Sequence, residues 1–295
     1  MIYHVRHTTN YNYSQSVLLS WNQACLQPRS FDGQTVADFQ LEVEPEPLSR
    51  RPWTDYFGNR IWYLAFDQLH TRLSITARSR VERTVEPPLH LSGPAWEETL
   101  NQLRSPADLE TRAACQFRYD SLFVPMLPET LEYARVSFTP HRPLLEAVRD
   151  LTSRIFRDFR YQPATTHWNT PITDVFRNRR GVCQDFSQLA LSCLRGLGLA
   201  ARYVSGYLLT DPPPGEQKQV GSDASHAWFS VYCPGVGWCD FDPTNNCQPG
   251  TRHVTTAWGR DYGDVSPVRG VLVGGGPHLM KVAVDVTPEL PAATA

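Results

Sequence analysis

The first residue whose type and setting could carry chemistry is Cys183, in the segment 181–186 (GVCQDF). Apolar residues recur at helical spacing from Phe186 to Leu197, and a glycine on each side of Leu197 gives a stop signal. We therefore predict a largely buried helix with Cys183 in its first turn. The N–H groups of a first turn are unpaired and the helix dipole favours negative charge, so a thiol there tends to ionise to the nucleophilic thiolate. A buried structural cysteine is the alternative.

Two partners for such a thiol follow along the chain. The segment 224–232 (ASHAWFSVY) is typical of a strand, 234–237 (PGVG) of a turn, and 238–245 (WCDFDPTN) of a second strand ended by proline. In a hairpin of these strands, His226 and Asp242 would lie at the open end, roughly 5–8 Å apart between Cα or Cβ atoms. A carboxylate can then orient the imidazole while its other ring nitrogen faces the thiol.

Each partner also has an ordinary structural interpretation. A histidine at the start of a strand is often a surface or hydrogen-bonded structural residue, and an aspartate before proline often initiates a turn. The order Cys, His, Asp, in helix and strand contexts, gives the combination its specificity. The spacing therefore predicts a triad of Cys183, His226 and Asp242.

Five segments resemble the signature blocks of the bacterial transglutaminase-like proteins, which belong to the wider transglutaminase and papain-like group. The start of the chain is similar to the β-rich N-terminal region that accompanies this family, and the resemblance covers residues 2–273. The five segments are 181–186 (GVCQDF), 201–207 (ARYVSGY), 225–228 (SHAW), 241–245 (FDPTN) and 259–265 (GRDYGDV).

The resemblance implies an α+β core in which the nucleophile helix packs on an antiparallel sheet. It also implies that Cys183 is the nucleophile, His226 the general base and acid, and Asp242 the residue that orients the histidine. Many bacterial members look protease- or amidase-like, so the resemblance favours hydrolysis over cross-linking.

Three regions position these residues. We predict a β-sandwich-like N-terminal domain over residues 1–88, where short alternating strands are separated by turn signals. Residues 89–140, with several prolines and short helical patterns, are predicted to form a helical connecting region. Residues 141–288 are predicted to form the transglutaminase-like catalytic core with a C-terminal strand. The N-terminal region contains no chemical constellation, so it could shape a wall of the cleft or recognise a partner.

Two loops are expected beside the nucleophile. The loop 161–170 precedes it, and cysteine enzymes of this kind commonly place an oxyanion donor there, the other donor being the nucleophile's own N–H. Trp168 and Gln184 are the candidate side chains for contacts with the oxyanion or the substrate. Alternatively, Trp168 could serve only in packing, and Gln184 could serve only to hydrogen-bond a backbone group. The proline-rich loop 211–221 precedes His226, so it could rim the cleft or be a plain surface connection.

Composition limits the other function classes. The net charge of -2, with 20% charged and 41% hydrophobic residues, gives no argument for nucleic acid or an anionic membrane as a partner. The N-terminus shows no apolar signal core, and no run approaches a membrane span of about 20 apolar residues. Seven cysteines at irregular spacing favour a reduced cytoplasmic protein. The oligomeric state is not predicted.

The triad predicts an amide or peptide hydrolase that works through a thioester. The same intermediate would serve transamidation, for which Trp168, Trp228 and Trp238 could line an amine tunnel. A non-catalytic peptide-binding module would not require the three triad residues together.

A metal site at His226, Cys233, Cys239 and Cys247 ranks low, since it lacks the close CxxC pairing of structural zinc. No metal and no cofactor is predicted, because neither a phosphate-binding loop nor an EF-hand pattern occurs.

Overall fold

The computed structural model describes residues 1–84, 93–211, 223 and 225–289. The boundary predicted at residue 88 and the loop predicted at 211–221, apart from residue 211, lie outside these residues. Within the described ranges, no helix is long and apolar enough to cross a membrane. All seven cysteines of the chain are free thiols.

Strands and helices alternate along the chain in a mixed α+β order. The strands are β1 (Ile2–Ala24), β2 (Gln34–Glu44), β3 (Ser49–Thr54), β4 (Arg60–Phe66), β5 (His70–Arg83), β6 (Arg160–Tyr161), β7 (Arg180–Gly181), β8 (Ala201–Leu208), β9 (Ser225–Cys233), β10 (Gly237–Phe241), β11 (His253–Gly259), β12 (Val268–Gly274) and β13 (His278–Pro288). The helices are α1 (Trp96–Arg104), α2 (Leu109–Ala114), α3 (Pro128–Arg135), α4 (Leu144–Asp158), α5 (Ile172–Asn178), α6 (Cys183–Gly196) and α7 (Tyr262–Val265), with a 3-10 helix at Cys115–Arg118.

The long strand β1 organises the N-terminal sheet. Its first half pairs with β5 on one side and β13 on the other, and its second half pairs with β4 and β12. All four pairings are antiparallel, and the main strand order is β2-β5-β1-β4-β3. The strands predicted for residues 1–88 thus form one continuous sheet of seven strands together with the two C-terminal strands.

The two halves of this sheet share one hydrophobic core. Leu41 and Ile75 come from the half that contains β2 and β5, whereas Leu64 and Phe66 come from β4 in the other half. The division into regions 1–88, 89–140 and 141–288 stays a prediction. That division assigns the C-terminal strand to the catalytic core because of its position in the chain. In the structure, however, β13 pairs with β1 of the N-terminal sheet.

A second antiparallel sheet, in the order β10-β9-β8-β11, carries the predicted chemistry. The expected hairpin is confirmed, with Cys233 of β9 opposite Gly237 of β10. Helix α6 begins at Cys183 as predicted and packs on this sheet through its apolar face, which includes Phe186, Ala190 and Leu194. The α+β fold class is therefore confirmed.

The N-terminal sheet is hydrogen-bonded to strand β11 of the second sheet. Gln34 is buried, and its side chain donates to the carbonyl of Thr255 at 2.7 Å and accepts from the Thr255 N–H at 2.8 Å. Tyr207 of β8 reaches back to a ring nitrogen of His7 in β1 at 3.1 Å. Because β8 and β11 are so tied, the N-terminal region fixes the sheet that carries His226.

Gly206 lies opposite His226 in the register of β8 and β9, at a point where the chains approach closely. A Cβ built there would meet the Val254 carbonyl oxygen and would stand 2.6 Å from Cη2 of Trp228. Both neighbours belong to the buried sheet, so neither can move away easily. The close approach of β11 and of Trp228 therefore requires glycine at this position.

We expect Gly206→Ala to lower the free energy of unfolding by about 1–3 kcal/mol, as overpacking of a filled core does. Gly250→Ala is the matched control, because a Cβ at Gly250 would meet nothing within 4 Å. Urea unfolding of both variants measures the difference. Equal stabilities of the two variants would contradict the close approach at Gly206.

Candidate active site

The first turn of α6 is fixed by a buried carboxylate. Asp185 accepts hydrogen bonds from the backbone N–H of Val182 at 2.8 Å and from the Thr166 hydroxyl at 2.7 Å. Burial raises the pKa of Asp185, and these two hydrogen bonds oppose the rise. A Cβ at Gly181 would stand 2.7 Å from the same carboxylate, so glycine is needed where the chain turns into the helix. Cys183 is thereby presented from a rigid helix start.

The loop before the nucleophile is attached to this helix start. Strands β6 and β7 pair in parallel, with Tyr161 opposite Gly181, and the N–H of Gln162 donates to the Gly181 carbonyl at 2.9 Å. The Gln184 side chain donates to the backbone carbonyl of Trp168 at 2.8 Å. The loop predicted at 161–170 therefore lies against the turn that carries Cys183.

His226 and Asp242 meet at the open end of the hairpin, as expected from the spacing. Nε2 of His226 lies 2.7 Å from Oδ2 of Asp242, and both side chains are buried. Cys183 lies close enough to the same imidazole to contribute to its raised pKa. The structure thus brings the three predicted residues to one place.

His226 and Asp242 stabilise each other's charged forms. Burial alone lowers the pKa of His226, but hydrogen bonds with Asp242 and Cys183 outweigh burial and raise the pKa to about 10. Burial alone would raise the pKa of Asp242, but hydrogen bonds with His226 and His253 hold the pKa well below its usual range. An ionised carboxylate therefore faces a histidine that is stabilised in its protonated form.

Two residues without a role in the sequence analysis also hold Asp242. The side-chain amide of Asn245 donates to Oδ2 at 2.7 Å, and Nε2 of His253 lies 3.2 Å from the same oxygen. The backbone N–H groups of Thr244 and Asn245 donate to Oδ1 at 2.9 and 3.2 Å. Asn245 stands within the segment that carries the family resemblance, so position could have singled it out. For His253 the sequence signal is weaker, namely a histidine at the start of a largely apolar strand.

His226, Asp242 and His253 place their ligand atoms within 4.8 Å of one another, a spacing that would suit a metal ion. The backbone N–H of Gly250 donates to Nδ1 of His253 at 3.3 Å, so Nδ1 must offer its lone pair. Nε2 of His253 then carries a hydrogen and donates to Asp242. This tautomer fits a hydrogen-bonded cluster better than a set of metal ligands.

Among the described residues, the thiols of Cys233, Cys239 and Cys247 are not part of the group whose ligand atoms lie within 4.8 Å of one another. Burial raises the pKa of the Cys233 thiol to about 11 and that of the Cys239 thiol to about 12, so both stay neutral thiols. Burial likewise raises the pKa of Cys247 to about 11. The alternative metal site at His226, Cys233, Cys239 and Cys247 is not among the groups of ligand atoms that the described residues form.

The oxyanion candidates occupy the loop side of Cys183. The ring of Trp168 is 59% exposed and packs edge-on against Phe123, with 5.7 Å between ring centroids. The amide of Gln184 fastens the loop through the Trp168 carbonyl. The oxyanion role of either residue stays a prediction.

The comparisons with known proteins agree with this architecture. The family model of the bacterial transglutaminase-like N-terminal region matches residues 3–82, and that of the transglutaminase-like superfamily matches residues 133–243. Uncharacterized proteins of Mycobacterium tuberculosis and Mycobacterium bovis are 42% identical over 296 residues, covering 97% of this chain and 92% of each relative. An uncharacterized protein of Mycobacterium leprae is 33% identical, covering 96% of this chain and 97% of its own length.

A solved structure shows the same fold. A crystal structure from Cytophaga hutchinsonii, described as a candidate cysteine protease, superposes with a TM-score of 0.74 at 21% identity. The superposition covers 99% of this chain and 93% of the other. The chain belongs to the bacterial branch of the transglutaminase-like superfamily.

Proposed function

We propose that the protein is a cysteine-dependent amide or peptide hydrolase in which Cys183, His226 and Asp242 form the catalytic triad. The observation that carries the proposal is the buried 2.7 Å contact between His226 Nε2 and Asp242 Oδ2. That contact leaves Nδ1 of the imidazole for the thiol at the start of α6. A purely structural histidine would not need a carboxylate on one nitrogen and a thiol on the other.

The proposed reaction starts from a thiolate–imidazolium pair, in which His226 holds the proton of Cys183. The thiolate attacks the carbonyl carbon of the substrate amide, and the resulting oxyanion collapses as the C–N bond breaks. His226 gives its proton to the departing amine, which leaves a thioester on Cys183. Water then attacks the thioester with His226 as base, releasing the carboxylic acid and the restored thiol.

Two donors are proposed for the oxyanion. The backbone N–H of Cys183 is one, since it belongs to the first turn of α6 and has no intrahelical partner there. The indole N–H of exposed Trp168 is the favoured second donor. Gln184 is the weaker candidate, because its amide already donates to the Trp168 carbonyl.

Hydrolysis is favoured over transamidation by the positions of two tryptophans. Trp228 is fully buried, and its indole donates to Asp240 at 3.0 Å. Trp238 packs against Tyr232, with 5.4 Å between centroids, and beneath the guanidinium of Arg202. The ring of Trp228 is enclosed within the protein, and the half-buried ring of Trp238 is held by Tyr232 and Arg202, so both rings are engaged in packing rather than left free to wall an amine tunnel. Water is then the acceptor that needs no dedicated site.

We expect Cys183→Ala to abolish release of free amino groups from casein, because the variant lacks the thiol that is proposed to form the thioester. Cys115→Ala is the matched control, since this half-buried thiol hydrogen-bonds to the carbonyls of Leu103 and Thr111. Fluorescamine measures hydrolysis, and covalent uptake of a fluorescent primary amine measures transamidation. Activity that persists in Cys183→Ala would overturn the triad, and amine uptake faster than hydrolysis would assign transamidation.

We expect Asp242→Asn to lower kcat by about 10³-fold or more, because the amide cannot stabilise the imidazolium that forms during attack. Alkylation of Cys183 by iodoacetamide, located by mass spectrometry, should persist in this variant, since the thiol keeps its position. A folded Asp242→Asn protein with wild-type kcat would show that Asp242 has no catalytic role.

The same pair predicts how stability depends on pH. The pKa of His226 is raised in the folded protein, so its contribution is complete below pH 6.5 and lost as the pH rises towards 10. The pKa of Asp242 is lowered, so its contribution is present above about pH 4. The stability gap between the wild type and Asp242→Asn should therefore be largest, about 3 kcal/mol, between pH 4 and 6.5.

Urea unfolding of both proteins from pH 5 to 10 measures that gap. It should shrink steadily above pH 6.5 as His226 loses the benefit of its proton in the folded state. A gap that stays constant over this range would contradict the ion pair between His226 and Asp242.

A further inference from the structure

His253 occupies a defined position beside the proposed triad. It is the first residue of β11, and its side chain is buried between Asp242 and Trp228. Its ring meets Trp228 edge-on, with 5.2 Å between centroids, and stands 5.9 Å from the ring of His226. The two histidines therefore approach the same carboxylate from neighbouring directions.

The hydrogen bonds of His253 give it one possible tautomer when neutral. A backbone N–H can only donate, so the contact from Gly250 N–H to Nδ1 requires a lone pair on Nδ1. The hydrogen then resides on Nε2, which lies 3.2 Å from Oδ2 of Asp242. His253 thus donates a hydrogen bond to the carboxylate of Asp242 and does not place a lone pair of its own against it.

We infer that His253 is a positioning residue that holds the carboxylate of Asp242 in the orientation in which it engages His226. The inference deepens the proposed function, because it assumes that Asp242 orients the general base. Asn245 and the N–H of Thr244 come from the turn that contains Asp242 itself, and they move with it. His253 comes from another strand, so it fixes Asp242 relative to the sheet.

The N-terminal sheet in turn fixes His253. The guanidinium of Arg83, at the end of β5, donates to the Gly250 carbonyl at 3.3 Å, and the N–H of Gly250 donates to His253. Gln34 of β2 holds Thr255, two residues beyond His253, through two hydrogen bonds. A line of contacts therefore runs from the N-terminal sheet through His253 to the carboxylate of the triad.

The test is an NMR titration of His226 in protein labelled at histidine, in a Cys183→Ala background. Without the thiol, the pKa of His226 reports its engagement with Asp242. Among the described residues, Asp242 contacts the ring of His226, and His253 and the Cys247 thiol are titratable groups that act on Asp242. We expect His253→Phe, which keeps a ring beside Trp228 but removes the donor, to lower the pKa of His226 by one unit or more. One unit is a tenfold change in the protonation equilibrium.

A matched pair separates the donor from the packing. Glutamine and methionine have the same length, but only glutamine can place an N–H near the position of Nε2. His253→Gln should keep the pKa of His226 raised, whereas His253→Met should lower it. This pair also decides the matter if His253→Phe does not fold. His70→Phe is the control for loss of a buried histidine elsewhere, because Nδ1 of His70 contacts the Gln68 carbonyl within the N-terminal region.

Equal pKa values of His226 in the glutamine and methionine variants would overturn the inference, as would an unchanged pKa in a folded His253→Phe protein. The titration needs no turnover, so its outcome is independent of whether the enzyme hydrolyses amides. Failure of the hydrolase proposal would appear instead as undiminished casein hydrolysis in Cys183→Ala.

Discussion

The buried carboxylate of Asp242 is the constraint on which the rest of the site depends. A carboxylate removed from water is stable only where donors replace its hydration, and an unpaired one would take up a proton. Asp242 is fully buried and accepts hydrogen bonds from His226, His253, Asn245 and two backbone N–H groups. This set keeps the carboxylate ionised, and the ionised carboxylate in turn favours the protonated form of His226.

The donors that satisfy Asp242 come from three separate segments, so the fold must bring these segments to one place. The hairpin of β9 and β10 supplies His226, the turn after β10 supplies Asn245, and β11 supplies His253. Strand β8 lies between β9 and β11, and Gly206 allows the close packing there. Among the described residues, the N-terminal sheet supplies no hydrogen-bond donor to Asp242, but it holds β8 and β11 through Tyr207 and Thr255.

A second buried carboxylate, that of Asp185, fixes the segment that carries the Cys183 thiol, as Asp242 fixes the imidazole of His226. Asp185 binds the N–H of Val182 and the hydroxyl of Thr166, which joins the first turn of α6 to the preceding loop. The helix start is thereby fixed relative to that loop. The proposed nucleophile and base are thus held by two separate buried carboxylates, each satisfied by hydrogen bonds within the protein.

Local pattern was enough to predict the helix at Cys183 and the hairpin that carries His226, because these depend on periodicity and turn residues over short spans. The α+β class followed from the family resemblance. Local pattern did not predict that β12 and β13 complete the N-terminal sheet, nor that His253 shares the carboxylate of Asp242. Strand alternation shows which face of a strand is buried but not which strand lies beside it. Likewise, the sequence around a single histidine does not show which residue folding will bring next to it. The chain alone therefore determined the local elements and pointed to the candidate residues Cys183, His226 and Asp242, and only tertiary packing decided which donors hold them in place.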